Sequence, residues 1–167
     1  ADAGGIPVLL RTIRGFAAHA DIGQIIVVAS PETSAEAVRW DLPAHVRITA
    51  GGAERHLSVQ AGLAAIVGEP QLVAVHDGAR PLASQAAISA CLDAAASCGA
   101  ASCAHRITDT VKRADPDGVI TGSVPRDNLW AMETPQSFHL ATLRRAYEEV
   151  LRSGSIVTDE TSAMEAI

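Results

Sequence analysis

The sequence predicts an α/β domain: a mostly parallel sheet with helices on both faces, plus a projecting β-hairpin arm. Three observations carry that expectation. Short runs of aliphatic, β-prone residues (25–29, 46–49, 72–76 and 100–104) are bounded by turn-forming residues and separated by segments of helical period. Strands that alternate with helices of this kind build βαβ units, whose right-handed crossovers cover a parallel sheet. That rhythm breaks after His105, where two polar strands flank a Pro116-Asp117-Gly118 turn.

The elements follow in order. Residues 1–5 form a loop leading into a helix over 7–19; Pro7 suits a first helical turn, and Val8, Leu9, Ile13, Phe16 and Ala17 make its apolar stripe. After the 25–29 strand comes Pro31 and a short helix over 34–40, and the 46–49 strand closes at Gly51-Gly52. Helical spacing returns over 54–67, with Leu57, Val59, Leu63 and Ile66 facing inward. Beyond the 72–76 strand, Ser84 caps a helix that runs through Cys98 and ends at Gly99. Residues 109–113 and 119–124 are the arm's strands, with few large apolar side chains. Trp130, Met132 and a Thr134-Pro135-Gln136 turn bring the chain back. An amphipathic helix over 140–152 sets Leu143, Tyr147, Val150 and Leu151 on one side, and residues 157–160 lead into a last helix.

A chain of 167 residues is long enough for one domain with a real core. Apolar residues make up 48% of it but aromatics only 3%, so that core is aliphatic. The formal net charge of −6 argues against nucleic acid or an anionic membrane as the main partner. Any phosphate must then be held by a local cluster of Arg and Lys. Cys91, Cys98 and Cys103 form no CxxC pair and are expected as reduced core residues, Cys91 and Cys98 on one helix face. No apolar run reaches membrane-spanning length and no signal peptide is visible, so a cytoplasmic location is expected. The start without methionine and the uncapped apolar pattern at Ile167 read as the middle of a longer protein.

The most informative stretch is His76-Asp77-Gly78-Ala79-Arg80-Pro81. It places Asp77 and Arg80 at the carboxyl end of a buried strand, where open α/β sheets bind ligands. A carboxylate there can hold a metal or a hydroxyl, and a guanidinium three residues later can grip a phosphate with two prongs. A surface ion pair in a βα loop accounts for the same residues. Gly51-Gly52-Ala53-Glu54-Arg55 is neither a Walker A loop nor GxGxxG. It can bring backbone amides against a ligand or be a plain turn, and Ser58 can bond a base or its own backbone. Thr110, Lys112, Arg113 and Arg126 form a basic cluster in an acidic chain, or solvated hairpin charges. Thr158-Asp159-Glu160 has the pattern of an N-cap for the final helix. His76 reads as a satisfied strand-end side chain, and the six histidines show no HExxH-like spacing.

Taken in order, GGAER, HDGARP, DTVKR, PRDNLW, ETPQSF and VTDETSAME resemble the 2-C-methyl-D-erythritol 4-phosphate cytidylyltransferases of isoprenoid precursor synthesis, over essentially the whole chain. HDGARP together with TPQ is the most specific part. The resemblance implies a Rossmann-like sheet of the nucleotide-diphospho-sugar transferase type. It also implies transfer of a cytidylyl group from CTP to methylerythritol phosphate, with Mg²⁺ accompanying the CTP. It makes Asp77 and Arg80 the catalytic pair, Asp77 lying near both the metal–triphosphate and the sugar alcohol. Gly52, Ala53, Ser58, Asp77 and Gly78 become the nucleotide contacts. Thr110, Arg126, Thr134 and Thr158 become ligands of the acceptor. It further implies a homodimer held through an arm over 106–126, so that Thr110 and Arg126 serve the neighbour's site.

The family's Gly-rich AAGxGxR loop with its following PKQ is expected just before Ala1, and its C-terminal strand with a lysine is expected beyond Ile167, so both fall outside these residues. The 167 residues are therefore expected to be inactive or nearly so by themselves. The acceptor cannot be read from residue types, so a ribitol- or other polyol-phosphate cytidylyltransferase is the nearest alternative. A non-catalytic nucleotide-binding domain is a second. A dehydrogenase is disfavoured, because no GxGxxG with a later acidic residue occurs.

Overall fold

Aliphatic runs and helical segments alternate in the computed structural model, which describes residues 1–154, 157 and 159–167, much as the pattern requires. The order is α1 (Val8–Ala17), β1 (Ile25–Ala29), α2 (Pro31–Ala37), β2 (Val46–Ala50), α3 (Arg55–Ala64), β3 (Leu72–Val75), α4 (Gln85–Cys98) and β4 (Ala100–Arg106). Then come β5 (Val111–Ala114), β6 (Ile120–Val124), β7 (Trp130–His139), α5 (Leu140–Ser153) and α6 (Glu160–Met164).

β1 and β2 pair in parallel, with Ile25 opposite Val46 and Ala29 opposite Ala50. β7 runs antiparallel between β3 and β4, so those two strands share a direction. The expected Thr134-Pro135-Gln136 turn is therefore corrected: these residues lie inside β7, and the Thr134–Pro135 peptide is cis. Proline lacks an N–H for the ladder. Pro135 is tolerated because it falls where the β4 pairing shifts register, between Ser102 and Ala104.

Side-chain alternation sorts the helices onto two faces. Val27 and Ala29 of β1 pack against Ile13 of α1. Val28 points the other way, so close to α3 that a Cβ on Gly62 would come within 3.0 Å of it. On the α3 face Leu63, Phe138, Leu143, Tyr147, Val150 and Ala163 bury together, joining α3, β7, α5 and α6 in the main core. α4 lies on β4 and β7 and touches α1. The result is the mixed α/β, Rossmann-like architecture, with most of its largest fully buried side chains carried by β7 and α5.

Local chemistry moves some boundaries. α2 starts at Pro31 because Ser30 caps it, its hydroxyl accepting from the Thr33 N–H. Ser84 and Gly99 bracket α4 as expected, the glycine at φ 90°. The shared face expected for two cysteines is corrected: Cys91 is buried and donates to the Pro135 carbonyl at 3.3 Å, whereas Cys98, in the last turn, is exposed. Leu151 is 40% exposed, since it lies at the edge of the stripe, about a hundred degrees on from Val150. β5 and β6 pair with each other alone, around a turn in which Asp115 accepts the N–H groups of Asp117 and Val119. No helix among the described residues is long and apolar enough to cross a membrane.

Candidate active site

The aliphatic run of β3 ends at Val75, and the chain must then turn without lengthening the strand. Gly78 allows this: a Cβ there would meet Leu9 Cδ1 at 2.7 Å. Its carbonyl accepts the Thr12 hydroxyl at 2.8 Å, so the loop is fastened to α1. The Asp77 N–H donates to Thr134 Oγ1 at 3.1 Å, which fastens the same loop to β7. The Asp77 side chain thereby faces outward at the carboxyl end of the strand.

Two guanidiniums flank that carboxylate. Arg80 Nε donates to Asp77 Oδ2 at 2.9 Å, and Arg55 Nη2 stands 3.9 Å from Oδ1. All three side chains are between 38% and 47% exposed, open enough to meet a ligand. Arg55 is the first residue of α3, and its far side is fixed. Its two terminal nitrogens fork onto Glu160, at 2.6 Å to Oε1 and 2.8 Å to Oε2. Glu160 is completely buried and also accepts the Tyr147 hydroxyl at 3.0 Å. Burial and the Glu160 charge push the Tyr147 hydroxyl well above its usual range, and the bond to Glu160 raises the Arg55 guanidinium further.

α6 is docked by its neighbour in sequence. Asp159 caps the helix, Oδ1 accepting the Ser162 N–H at 2.9 Å and Oδ2 accepting Gln136 Nε2 at 3.0 Å. The other end of the Gln136 amide accepts the N–H groups of Glu160 and Thr161. Partial burial opposes the Asp159 charge, but bonds from Ser162, Thr161 and Gln136 outweigh it and hold the carboxyl well below its usual range.

The loop before α3 folds on itself. The Gly52 N–H donates to Ser58 Oγ at 3.1 Å, and that hydroxyl donates to the Glu54 carbonyl at 3.1 Å. Ser58 thus serves backbone here, while Gly52 and Ala53 stay exposed. A Cβ on Gly52 would stand 2.4 Å from Leu57 Cβ, so any other residue would force the loop to move. His76 is satisfied on one side only. Nε2 lies 2.9 Å from the Arg80 carbonyl, which can only accept, so Nε2 carries the proton; Nδ1 is buried without a partner. Burial lowers the affinity of this ring for a second proton, and it packs against Phe16 at a tilt of 45°, with ring centroids 4.5 Å apart.

The remaining expected ligands are less close together. Thr134 is at the site through Asp77. Thr110 and Arg126 are exposed at the base of the arm, where Arg126 donates to the Thr108 carbonyl, and neither bonds Asp77, Arg80 or Arg55 among the described residues. Thr158 lies outside the described residues, and Asp159 holds the cap that was assigned to the three-residue motif around it. A cavity of about 390 Å³ beside the loop is lined by His76, Arg80, Ser84, Cys103, Glu133 and Thr134, among others. A larger one, about 660 Å³, separates β1 from β3 and is mostly aliphatic. Among the described residues no three His, Cys, Asp or Glu side chains gather as a cation site. The donor set at the β3 end is one carboxylate, which suits a cation that arrives with a polyphosphate.

Sequence reasoning passed over Arg55, Tyr147, Gln136, Asp159 and Glu160 as site residues. Four of them sit in segments that read locally as turns or caps, but Arg55 and Glu160 are 105 residues apart, a pairing that spacing does not reveal.

Comparison with known proteins gives a consistent picture. A family model described as 2-C-methyl-D-erythritol 4-phosphate cytidylyltransferase matches residues 1–167. The protein of that description from Symbiobacterium thermophilum is 39% identical over 163 residues, covering 98% of this chain and 69% of its own length. That from Ralstonia nicotianae is 41% identical over 175 residues, covering 97% and 69%. The crystal structure of 4-diphosphocytidyl-2C-methyl-D-erythritol synthase from Anaerococcus prevotii superposes with a TM-score of 0.87 at 30% identity, over 98% of this chain and 73% of that one. The Thermus thermophilus 2-C-methyl-D-erythritol 4-phosphate cytidylyltransferase superposes at 0.83 and 29% identity, over 99% and 76%.

Proposed function

The chain belongs to the 2-C-methyl-D-erythritol 4-phosphate cytidylyltransferase family, and we propose that the carboxyl end of β3 is where its two substrates meet. The family's enzyme is a nucleotidyltransferase of the non-mevalonate isoprenoid pathway. A phosphate oxygen of methylerythritol phosphate bonds to the α-phosphorus of CTP. The bond from that phosphorus to the bridging oxygen breaks, and pyrophosphate leaves with the electron pair.

No covalent enzyme intermediate is required, so this chain's residues act by placement and charge. Asp77 and Arg80 are the proposed catalytic pair. Arg80 presents a forked guanidinium to a phosphate, and Asp77, held by Thr134, fixes the orientation of that fork. Gly52, Ala53, Ser58 and Gly78 form the proposed nucleotide edge, where glycines permit close backbone approach. Thr134 and Thr158 are the acceptor-side contacts. Mg²⁺ on the triphosphate supplies charge neutralisation when bound, and Asp77 is the carboxylate that would ligate it.

The arm supports a homodimer reading. Val119, Ile120, Trp130 and Met132 are 45–64% exposed, and an isolated two-stranded ribbon needs a surface to pack on. A two-fold partner supplies one, and Thr110 and Arg126 then complete the neighbour's site. Three unpaired cysteines support a reducing, cytoplasmic setting.

The observation that carries the reading is a carboxylate set between two guanidiniums at a strand's carboxyl end, 3.9 Å from the residue that opens α3 behind the Gly52 loop. Its test is pyrophosphate release from CTP plus methylerythritol phosphate, by the 167-residue chain and by the chain extended to the length of its Symbiobacterium relative. Turnover that needs both substrates and stops on chelation is expected in at least the extended form. A higher kcat/KM for ribitol 5-phosphate would reassign the acceptor, and no pyrophosphate from either form with any polyol phosphate would refute the reading.

A further inference from the structure

We infer that Glu160 is a positioning residue: together with Tyr147 it holds the Arg55 guanidinium beside Asp77 and so fixes the charge geometry in which Asp77 works. The inference rests on the reading of the β3 end as the substrate site.

Glu160 is the one fully buried acid among the described residues. Removing a carboxylate from water is costly, and an ion pair with its partner does not by that fact stabilise a fold, since well-packed apolar groups of similar size commonly do as well. The geometry points to orientation instead. Two parallel bonds, at 2.6 and 2.8 Å, fix the plane of the Arg55 guanidinium as well as its position, which a single contact would not. The nitrogen bonded to Oε2 is the same Nη2 that stands 3.9 Å from Asp77. Glu160 is in turn fixed twice, by the Tyr147 hydroxyl and by Gln136, whose Oε1 accepts the Glu160 N–H at 3.2 Å. Gln136 belongs to the strand that also carries Thr134, the anchor of the Asp77 backbone. Four elements (α3, α5, α6 and β7) thus converge on one half-exposed cation, and the place they direct it to is the functional carboxylate.

The test compares Glu160→Gln, Tyr147→Phe and the double variant Arg55→Gln/Glu160→Gln, each with and without Asp77→Asn, in whichever form of the chain turns over. The double variant replaces the ion pair by two amides able to bond each other, so it keeps the site filled if Glu160→Gln alone fails to fold. Folded Glu160→Gln and the double variant should lose at least about tenfold in kcat, with KM for CTP within about threefold. Tyr147→Phe should lose about two- to fivefold. On the Asp77→Asn background the same changes should cost less than about twofold more, because residues acting as a unit are not additive. A folded variant lacking the ion pair with near-normal kcat, or a loss that multiplies in full with that of Asp77→Asn, overturns the inference. No turnover from the unsubstituted chain in either form defeats the reading of the site itself, and the inference falls with it.

Discussion

The Thr134 hydroxyl accepts the backbone N–H of Asp77 at 3.1 Å, tying the end of β3 to the residue that precedes Pro135 in β7. With the Thr12 bond to the Gly78 carbonyl it sets where the Asp77 carboxylate stands, so backbone anchoring and side-chain chemistry can be separated by substitution. In the extended form of the chain, Asp77→Ala should lower kcat by about 10²–10³, the usual cost of a lost charge-positioning group. Its melting temperature should barely change, because ion pairs this exposed contribute at most about 1 kcal/mol. Thr134→Val should instead cost stability, about 1 kcal/mol for the orphaned N–H, along with a smaller loss of rate. Thermal melts beside pyrophosphate assays distinguish the two patterns. Asp77→Ala with a rate within threefold of normal would return it to a surface ion pair.

Gly52→Ala places a methyl 2.4 Å from Leu57 Cβ, against helix backbone and not a yielding side-chain tip. The loop must move, and the bond from Gly52 N–H to Ser58 goes with it. KM for CTP should rise about tenfold or more while kcat falls much less, as for a lost ground-state contact. Ser58→Ala, which removes the bond without the clash, should show a weaker form of the same change. If neither variant moves KM for CTP, the loop is a plain turn.

The acid response of α6 follows from Asp159. Its carboxyl is held low in the folded chain by bonds from Ser162, Thr161 and Gln136 that outweigh the opposing burial. A group with a depressed folded value lends stability that is fully present above its unfolded value, about 3.9, and lost as pH falls from there toward the folded one. Wild type should therefore be more resistant to urea than Asp159→Asn at about pH 7, and the gap should narrow progressively as pH falls from about 3.9 to about 2.5. A gap that stays constant over that range would show that the Asp159 charge is not what its partners hold.

Shared sites predict complementation. In the extended form of the chain, Asp77→Ala and Arg126→Ala homodimers should each be nearly inactive. Unfolding, mixing equally and refolding makes half the dimers mixed, each with one site that has both residues, so about a quarter of normal activity should return. No recovery, with dimers present and subunit exchange demonstrated, places Asp77 and Arg126 in the same chain's site and ends the arm proposal.

What was legible in the sequence was whatever rests on local pattern. The strand–helix rhythm, the Ser84 and Gly99 caps of α4, and the β3 end with Asp77 and Arg80 all follow from residues near one another in the chain. β7 was not legible, because Thr-Pro-Gln-Ser has the composition of a turn and the register shift that admits Pro135 belongs to another strand, β4. The Arg55–Glu160 fork was not legible either, since a charge beside a glycine loop and a charge opening a helix each have an ordinary local explanation. Tyr147 reads as one more member of an apolar stripe, and only its position in space shows that its hydroxyl reaches Glu160 at 3.0 Å.

The chain has two tryptophans, and the fold separates them. Trp40 packs against the cluster of Ile13, Val27 and Ala29, whereas Trp130, 48% exposed at the foot of the arm, lies under the Arg106 guanidinium at 4.7 Å. An indole in water emits to the red of one in an apolar setting, and a stacked cation changes its yield. With Trp40→Phe in place, the remaining emission reports only the arm's surroundings; with Trp130→Phe, it reports only the integrity of the β1–β2 layer. If the arm is covered by a second copy, the Trp130 spectrum should shift to the blue as protein concentration rises, while the Trp40 spectrum stays fixed. The molecule thus carries two optical channels, one for association and one for unfolding, without an added label.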